Sequence, residues 1–262
     1  MSLSISQLDV LLVEPSATQQ RIIQDYLSEL GAHEPNQVHT AGEALAAMRN
    51  RVPDLVISAM HLPDMTGTEL IQKMRDDAAT LDVAFILISS ETSMRYLEPL
   101  RQAGVISILP KPFSRNQLRT SLLSTLDFLQ PDPLELKQFV PDELRVLIVD
   151  DSFTSRRIMR QMLERMGIEQ FSEAENGREA IELVETEFFD LIVTDYNMPE
   201  VDGEQLSQFI RNQSTQQSVP VLMVTSETDT SRLAGIAQSG VSAVFDKPIT
   251  VETLRETIQR VL

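Results

Sequence analysis

Short apolar runs alternate with amphipathic stretches along the chain, five of each, and then the alternation starts again. In the second half the apolar runs are Arg145–Val149, Phe171–Ala174, Leu191–Thr194, Val219–Val224 and Ala243–Phe245. The first, third and fourth are near-continuous Val, Ile, Leu and Met, the pattern of strands buried on both faces. Helical spacing fills the intervals. Ile158, Met159, Met162, Leu163 and Met166 mark one helix, ended by Gly167. Ala180, Ile181 and Val184 mark the next, and Leu206, Phe209 and Ile210 the third. Leu233, Ile236 and Ala237 mark a fourth, stopped by Gly240, and Leu254, Ile258 and Val261 the last. Strands alternating with helices of this length predict an α/β fold with a parallel sheet, right-handed crossovers and helices on both faces.

The first half repeats the second without a slip in register. Val10, Ala59, Ser89 and Lys111 precede Val146, Asp195, Thr225 and Lys247 by a constant 136 residues. A period of whole-domain length predicts two domains rather than a repeat array. The expected bounds are residues 1–129 and 144–262, joined by a linker over 130–143. That linker contains three prolines and mixed charge, as a semi-rigid spacer does. Leu134, Leu136, Phe139 and Val140 are nevertheless available to pack on a domain.

Composition removes several functions. With 39 acidic against 22 basic residues the formal charge is −17, which repels phosphate backbones and argues against direct nucleic-acid binding. The chain has no cysteine, so thiol nucleophiles, disulfides and cysteine–zinc sites are excluded, in keeping with a reducing, cytoplasmic setting. No apolar run approaches the ~18 residues of a membrane span, and Met1-Ser2-Leu3 lacks the basic and apolar regions of a secretory signal. His33, His39 and His61 lack the partners of a metal site.

In parallel α/β sheets function gathers beyond the carboxyl ends of the strands. There the second half places Asp150 and Asp151, Asp195, Thr225 with Ser226, and Lys247 with Pro248, the proline being expected to open the last helix at its first position. Three carboxylates at one rim repel one another unless a cation neutralises them. A hard divalent ion with oxygen ligands and several waters, such as Mg2+, suits them. A lysine and a threonine hydroxyl beside such an ion await an anion with several oxygens, most simply a phosphoryl group, and a carboxylate can receive it as an acyl phosphate.

The second half, from about Leu144 to Leu262, resembles a response-regulator receiver domain of the CheY type. The resemblance is carried by Leu147-Ile148-Val149-Asp150-Asp151-Ser152, Thr194-Asp195-Tyr196-Asn197-Met198-Pro199, Gly203, Thr225-Ser226-Glu227 and Asp246-Lys247-Pro248. It implies two flavodoxin-like (βα)5 three-layer sandwiches, each a five-stranded parallel sheet of order 2-1-3-4-5. It further implies that Asp195 accepts a phosphoryl group from a histidine kinase or histidine phosphotransfer protein. Asp151, Asp195 and the backbone carbonyl of Asn197 would ligate Mg2+, with Asp150 acting largely through water. Lys247 would contact the phosphoryl group and Thr225 would move toward it. Asn197 and Glu227 hold positions that tune acyl-phosphate lifetime, with identities that match short-lived chemotaxis-type signals. Output would pass to a protein partner through the fourth helix, fifth strand and fifth helix. One departure stands out: where the family carries Tyr or Phe, this chain has Val244, with Phe245 beside it on the opposite face of the strand.

The first half resembles the same family through Pro63, Gly67, Ser89-Ser90-Glu91, Gly104 and Lys111-Pro112, without the acids. Glu14-Pro15 replaces the acid pair, Ala59 the acceptor, and His61 stands where Asn197 does. Alanine carries no nucleophile, so this half reads as a pseudo-receiver whose task is contact with the other domain, a twin chain in a homodimer, or another protein. Lys111 is left to pair with Glu14 or to be solvated. Two other readings compete: the regulatory front of a longer regulator with an output domain such as a nucleotide cyclase, and a phosphohydrolase with an aspartate nucleophile. The phosphohydrolases begin with an Asp-x-Asp pattern after the first strand, which this chain lacks.

Overall fold

The computed structural model describes residues 3–91, 99–136, 139–226 and 239–262. The fourth helix expected around Leu233 and the residue Glu227 lie outside them. The chain divides into two compact units, Met1–Pro131 and Asp132–Leu262.

In the first unit β1 (Val10–Val13), β2 (Asn36–Val38), β3 (Leu55–Ala59), β4 (Ala84–Ser89) and β5 (Ser107–Pro110) form one parallel sheet of order β2-β1-β3-β4-β5. Between them run α1 (Ala17–Glu29), α2 (Ala41–Asn50) and α3 (Gly67–Arg75), and α4 (Arg115–Leu129) closes the unit. In the second unit β6 (Arg145–Val149), β7 (Gln170–Ala174), β8 (Leu191–Asp195), β9 (Val221–Thr225) and β10 (Ala243–Asp246) form a sheet of order β7-β6-β8-β9-β10. Its helices are α5 (Phe153–Arg165), α6 (Gly177–Thr186), α7 (Gly203–Asn212) and α8 (Val251–Val261). Corresponding strands share one register: Val13 pairs with Val38 as Val149 pairs with Ala174. The predicted fold class and strand order are those observed.

Strand burial explains the unbroken apolar runs. Every residue of β1, β3, β4, β8 and β9 is buried. One face of each sheet packs on the second and third helices, with Leu147, Val149, Ile192 and Val221 against Ala180, Val184, Leu206 and Ile210. Alternate residues such as Val146 and Ile148 point the other way. The buried faces of α5 (Met162, Leu163) and α8 (Leu254, Ile258) complete the third layer.

Short polar side chains set the helix starts. Ser152 and Asn176 accept from the backbone N–H of Ser155 and Glu179, and Asp202 with Gln205 forms a reciprocal capping box. Gly167, at φ +97°, ends α5 in the left-handed region that side chains avoid. The prolines after the two lysines do not open the last helices. Lys111–Pro112 and Lys247–Pro248 are cis, and the helices start at Arg115 and Val251 under Ser114 and Thr250. The hydroxyl caps, two residues further on, supply the acceptor for the first free N–H groups, which proline could not.

The segment after Pro131 belongs to the second unit. Leu134 is buried, its N–H donates to the Met166 carbonyl, and Arg255 pairs with Asp132 at 3.2 Å. Phe139 and Val140 stay exposed.

Two arginines at equivalent positions peg each unit. Arg75 donates to the carbonyls of Ala103, Leu81 and Val83 at 3.0, 2.7 and 2.9 Å, and Arg211 to those of Gly240, Gln217 and Val219 at 2.8, 3.0 and 2.8 Å. Gly203 matters for its lack of a side chain. A Cβ there would clash with the Asp195 carbonyl oxygen. No rotamer relieves a clash with backbone, so Gly203→Ala is expected to cost about 3 kcal/mol in urea unfolding. A wild-type midpoint for the second unit would show that this close approach is not needed. Among the described residues no helix is long and apolar enough to cross a membrane.

Candidate functional site

Asp150 follows β6, Asp195 ends β8, Thr225 ends β9 and Lys247 follows β10. Parallel pairing brings these ends together, since Asp195 is in register with Val224 and Thr225 with Asp246. The Lys247 N–H donates to the Thr225 carbonyl at 2.8 Å, which ties the two ends directly.

The Lys247 ammonium lies between two carboxylates, 2.7 Å from Asp195 Oδ1 and 2.9 Å from Asp150 Oδ2. All three side chains are less than a tenth exposed. The remaining oxygens take backbone donors: Ser152 N–H reaches Asp150 Oδ1 at 2.8 Å, and Asn197 N–H reaches Asp195 Oδ2 at 3.0 Å. Thr225 is fully buried. Among the described residues the buried Ser226 hydroxyl has no hydrogen-bond partner. Asp151 and Asn197 are exposed at the rim.

One lysine does not balance two buried carboxylates. Burial pushes the Asp195 carboxyl up to about 6; Lys247 opposes this, and Asp150 and Asp151 add to it. Burial also raises Asp150 against the pull of Lys247. Lys247 is itself held above its ordinary value, because the two carboxylates outweigh the effect of its burial.

Among the described residues no three carboxylate, imidazole or thiol groups stand gathered as a preformed metal cage. The donor chemistry still fits Mg2+. Asp150, Asp151 and Asp195 offer only hard oxygens with an excess of negative charge, and an ion that keeps several waters needs few protein ligands.

The first unit repeats the scaffold and closes the site. Lys111 Nζ pairs with Glu14 Oε2 at 2.9 Å, so of the two outcomes open to Lys111 pairing is the one adopted. The other Glu14 oxygen accepts from Ser16 N–H at 3.1 Å. Ala59 is buried where Asp195 stands, and His61 is exposed. Among the described residues this centre holds one carboxylate and one ammonium.

Two groups at the active end give little sign of themselves in the sequence. Ser152 caps α5 while its N–H holds Asp150. Arg156 is buried and donates to the Asp150 carbonyl at 2.8 Å. In β10, Val244 is 37% exposed and Phe245 8%, so the aromatic ring belongs to the core and leaves the outer face aliphatic.

The model of the response regulator receiver domain matches the chain twice, over residues 10–123 and 146–259. Chemotaxis protein CheY of Pseudomonas aeruginosa is 36% identical over 118 residues, which is 45% of this chain and 95% of that protein. Chemotaxis protein CheY-3 of Vibrio cholerae is 36% identical over 118 residues, covering 45% of this chain and 91% of its own. Among solved structures, chemotaxis response regulator CheY4 of Vibrio cholerae shares 35% identity over 45% of this chain and 98% of its own, with a TM-score of 0.42. The chain belongs to the response regulator receiver domain family and carries two CheY-like receiver domains of the two-component type in tandem.

Proposed function

We propose that Asp195 accepts a phosphoryl group from a histidine kinase or a histidine phosphotransfer protein, in a reaction that requires Mg2+. The resulting acyl phosphate switches binding to a downstream protein. The observation that carries this reading is the Lys247 ammonium set between the buried carboxylates of Asp150 and Asp195, beside Thr225. An Asp195 oxygen attacks phosphorus, an O–P bond forms, and the bond from phosphorus to the donor imidazole nitrogen breaks. Lys247 leaves the carboxylate that has lost its charge and follows the charge onto the phosphoryl oxygens. The Thr225 hydroxyl donates to the same group. Asp151, Asp195 and the Asn197 carbonyl would hold Mg2+ directly and Asp150 largely through water, and the ion would supply charge neutralisation at those oxygens. The protein is then a phosphoacceptor that catalyses its own modification rather than an enzyme turning over a free substrate.

The first domain is a pseudo-receiver. Ala59 offers no nucleophile, and Lys111 already has its single carboxylate. Incubation with a small acyl phosphate and Mg2+ is expected to add one phosphate per chain by intact mass. An unchanged mass sinks the proposal, and two phosphates remove the pseudo-receiver assignment.

A further inference from the structure

The offset of 136 residues makes the first unit an internal control for the second. Features that both copies keep serve the fold: the arginine pegs at 75 and 211, and the hydroxyls of Ser58 and Thr194, which donate to the following carbonyls at 3.0 and 2.9 Å. Features found only beside the acids sort with the chemistry. One such feature lies behind Asp150.

Arg156, 5% exposed on α5, donates through Nη1 to the Asp150 carbonyl at 2.8 Å. Its Nη2 reaches Glu175 Oε1 at 2.9 Å and its Nε reaches Glu173 Oε2 at 3.3 Å. In the first unit the equivalent residue is Gln20, whose Nε2 donates to the Glu14 carbonyl at the same 2.8 Å and to the Val38 carbonyl at 3.2 Å. Gln37 and His39 occupy the places of Glu173 and Glu175. The carbonyl bond is therefore kept in both copies. The positive charge and its two carboxylates occur only where the acid site does.

We propose that Arg156 is a positioning residue for the acceptor site, its charge held by Glu173 and Glu175 so that it clamps the Asp150–Asp151 peptide and presents Asp151 to Mg2+. The inference rests on the phosphoacceptor reading of that site. A charge-assisted hydrogen bond is about twice as strong as a neutral one. The Asp150 carbonyl shares a rigid plane with the Asp151 N–H, so holding one fixes the direction in which the Asp151 side chain leaves the chain. The first unit needs no such hold. Its next residue, Pro15, is stiffened by its own ring and carries no ligand to aim.

The test installs the silent copy's residue. Arg156→Gln keeps the carbonyl bond and is expected to leave the thermal midpoint at the wild-type value. Mg2+ affinity, measured by calorimetry, should fall about tenfold, at the lower end for groups that orient metal ligands. Removing a positive charge would by itself tighten cation binding, so weaker binding reports lost positioning. Arg156→Lys, which retains the charge, should recover part of the affinity. Unchanged or tighter Mg2+ binding in Arg156→Gln overturns the proposal. A collapsed midpoint overturns it too, because the charge would then serve the fold. If the wild-type chain binds Mg2+ but takes no phosphate, the phosphoacceptor reading falls while the titration still decides the clamp. If it binds no Mg2+, both fall.

Discussion

Asp195→Asn is expected to take up no phosphate and, in chelator at pH 7.5, to be more stable than the wild-type protein by roughly 3 kcal/mol. Both effects come from one carboxylate. It supplies the only acceptor oxygen proposed, so its amide ends the reaction. Its burial also carries an electrostatic cost. The carboxyl rises from an ordinary 3.8 to about 6 in the folded protein, so the folded state holds its proton where the unfolded chain has lost it. Stability from this group is therefore greatest below pH 4, falls as pH rises toward 6 and is level above that, and at 1.36 kcal/mol per pH unit the loss is roughly 3 kcal/mol. The comparison is made by urea unfolding of both proteins at pH 4 and pH 7.5. Their gap should open between those values, and Mg2+ should narrow it at the higher pH by binding the native wild-type site. A gap of the same size at both pH values would show that the carboxylate is not strained by its charge.

Lys247→Met carries the opposite sign. The ammonium is the shared partner of Asp150 and Asp195, at 2.9 and 2.7 Å, and methionine fills a similar volume without charge. Removing one partner of a buried ion pair leaves the other uncompensated, at a cost of about 3–5 kcal/mol. The loss should be full at pH 7.5 and smaller at pH 5, where Asp195 takes up a proton and one of the two stranded charges disappears. Chemical unfolding at the two pH values in chelator measures it. An equal loss at both would mean that the lysine contributes packing alone.

Much of this molecule could be read from its residues, and the parts that could not share a cause. Val146–Val149 and Val221–Val224 announce buried parallel strands because no face of them meets water, and strand ends converge by topology. That logic brought Asp150, Asp195, Thr225 and Lys247 together before any coordinate. It carried no information about what lies behind them. An arginine in an amphipathic helix reads as solvated, and only burial reveals Arg156 as a partner of Asp150. The same holds for Arg75 and Arg211, whose partners are carbonyls that no side-chain pattern exposes. Pro248 after Lys247 suits both a helix start and a turn, and Thr250 is the better cap. Pro131 to Leu134 read as a spacer by composition, yet one leucine with a place to go ties that stretch to the second unit.

The closed pair of Glu14 and Lys111 has a practical consequence. Two domains of one fold travel in one chain, at one concentration and one history. Buffer, temperature or handling acts on both alike, whereas whatever is peculiar to an open acid site acts on one. Gly67 and Gly203 sit at matching places with matching backbone bonds, to the carbonyls of Met60 and Tyr196. Their amide resonances form a reporter and its standard within a single spectrum, so the molecule carries its own blank.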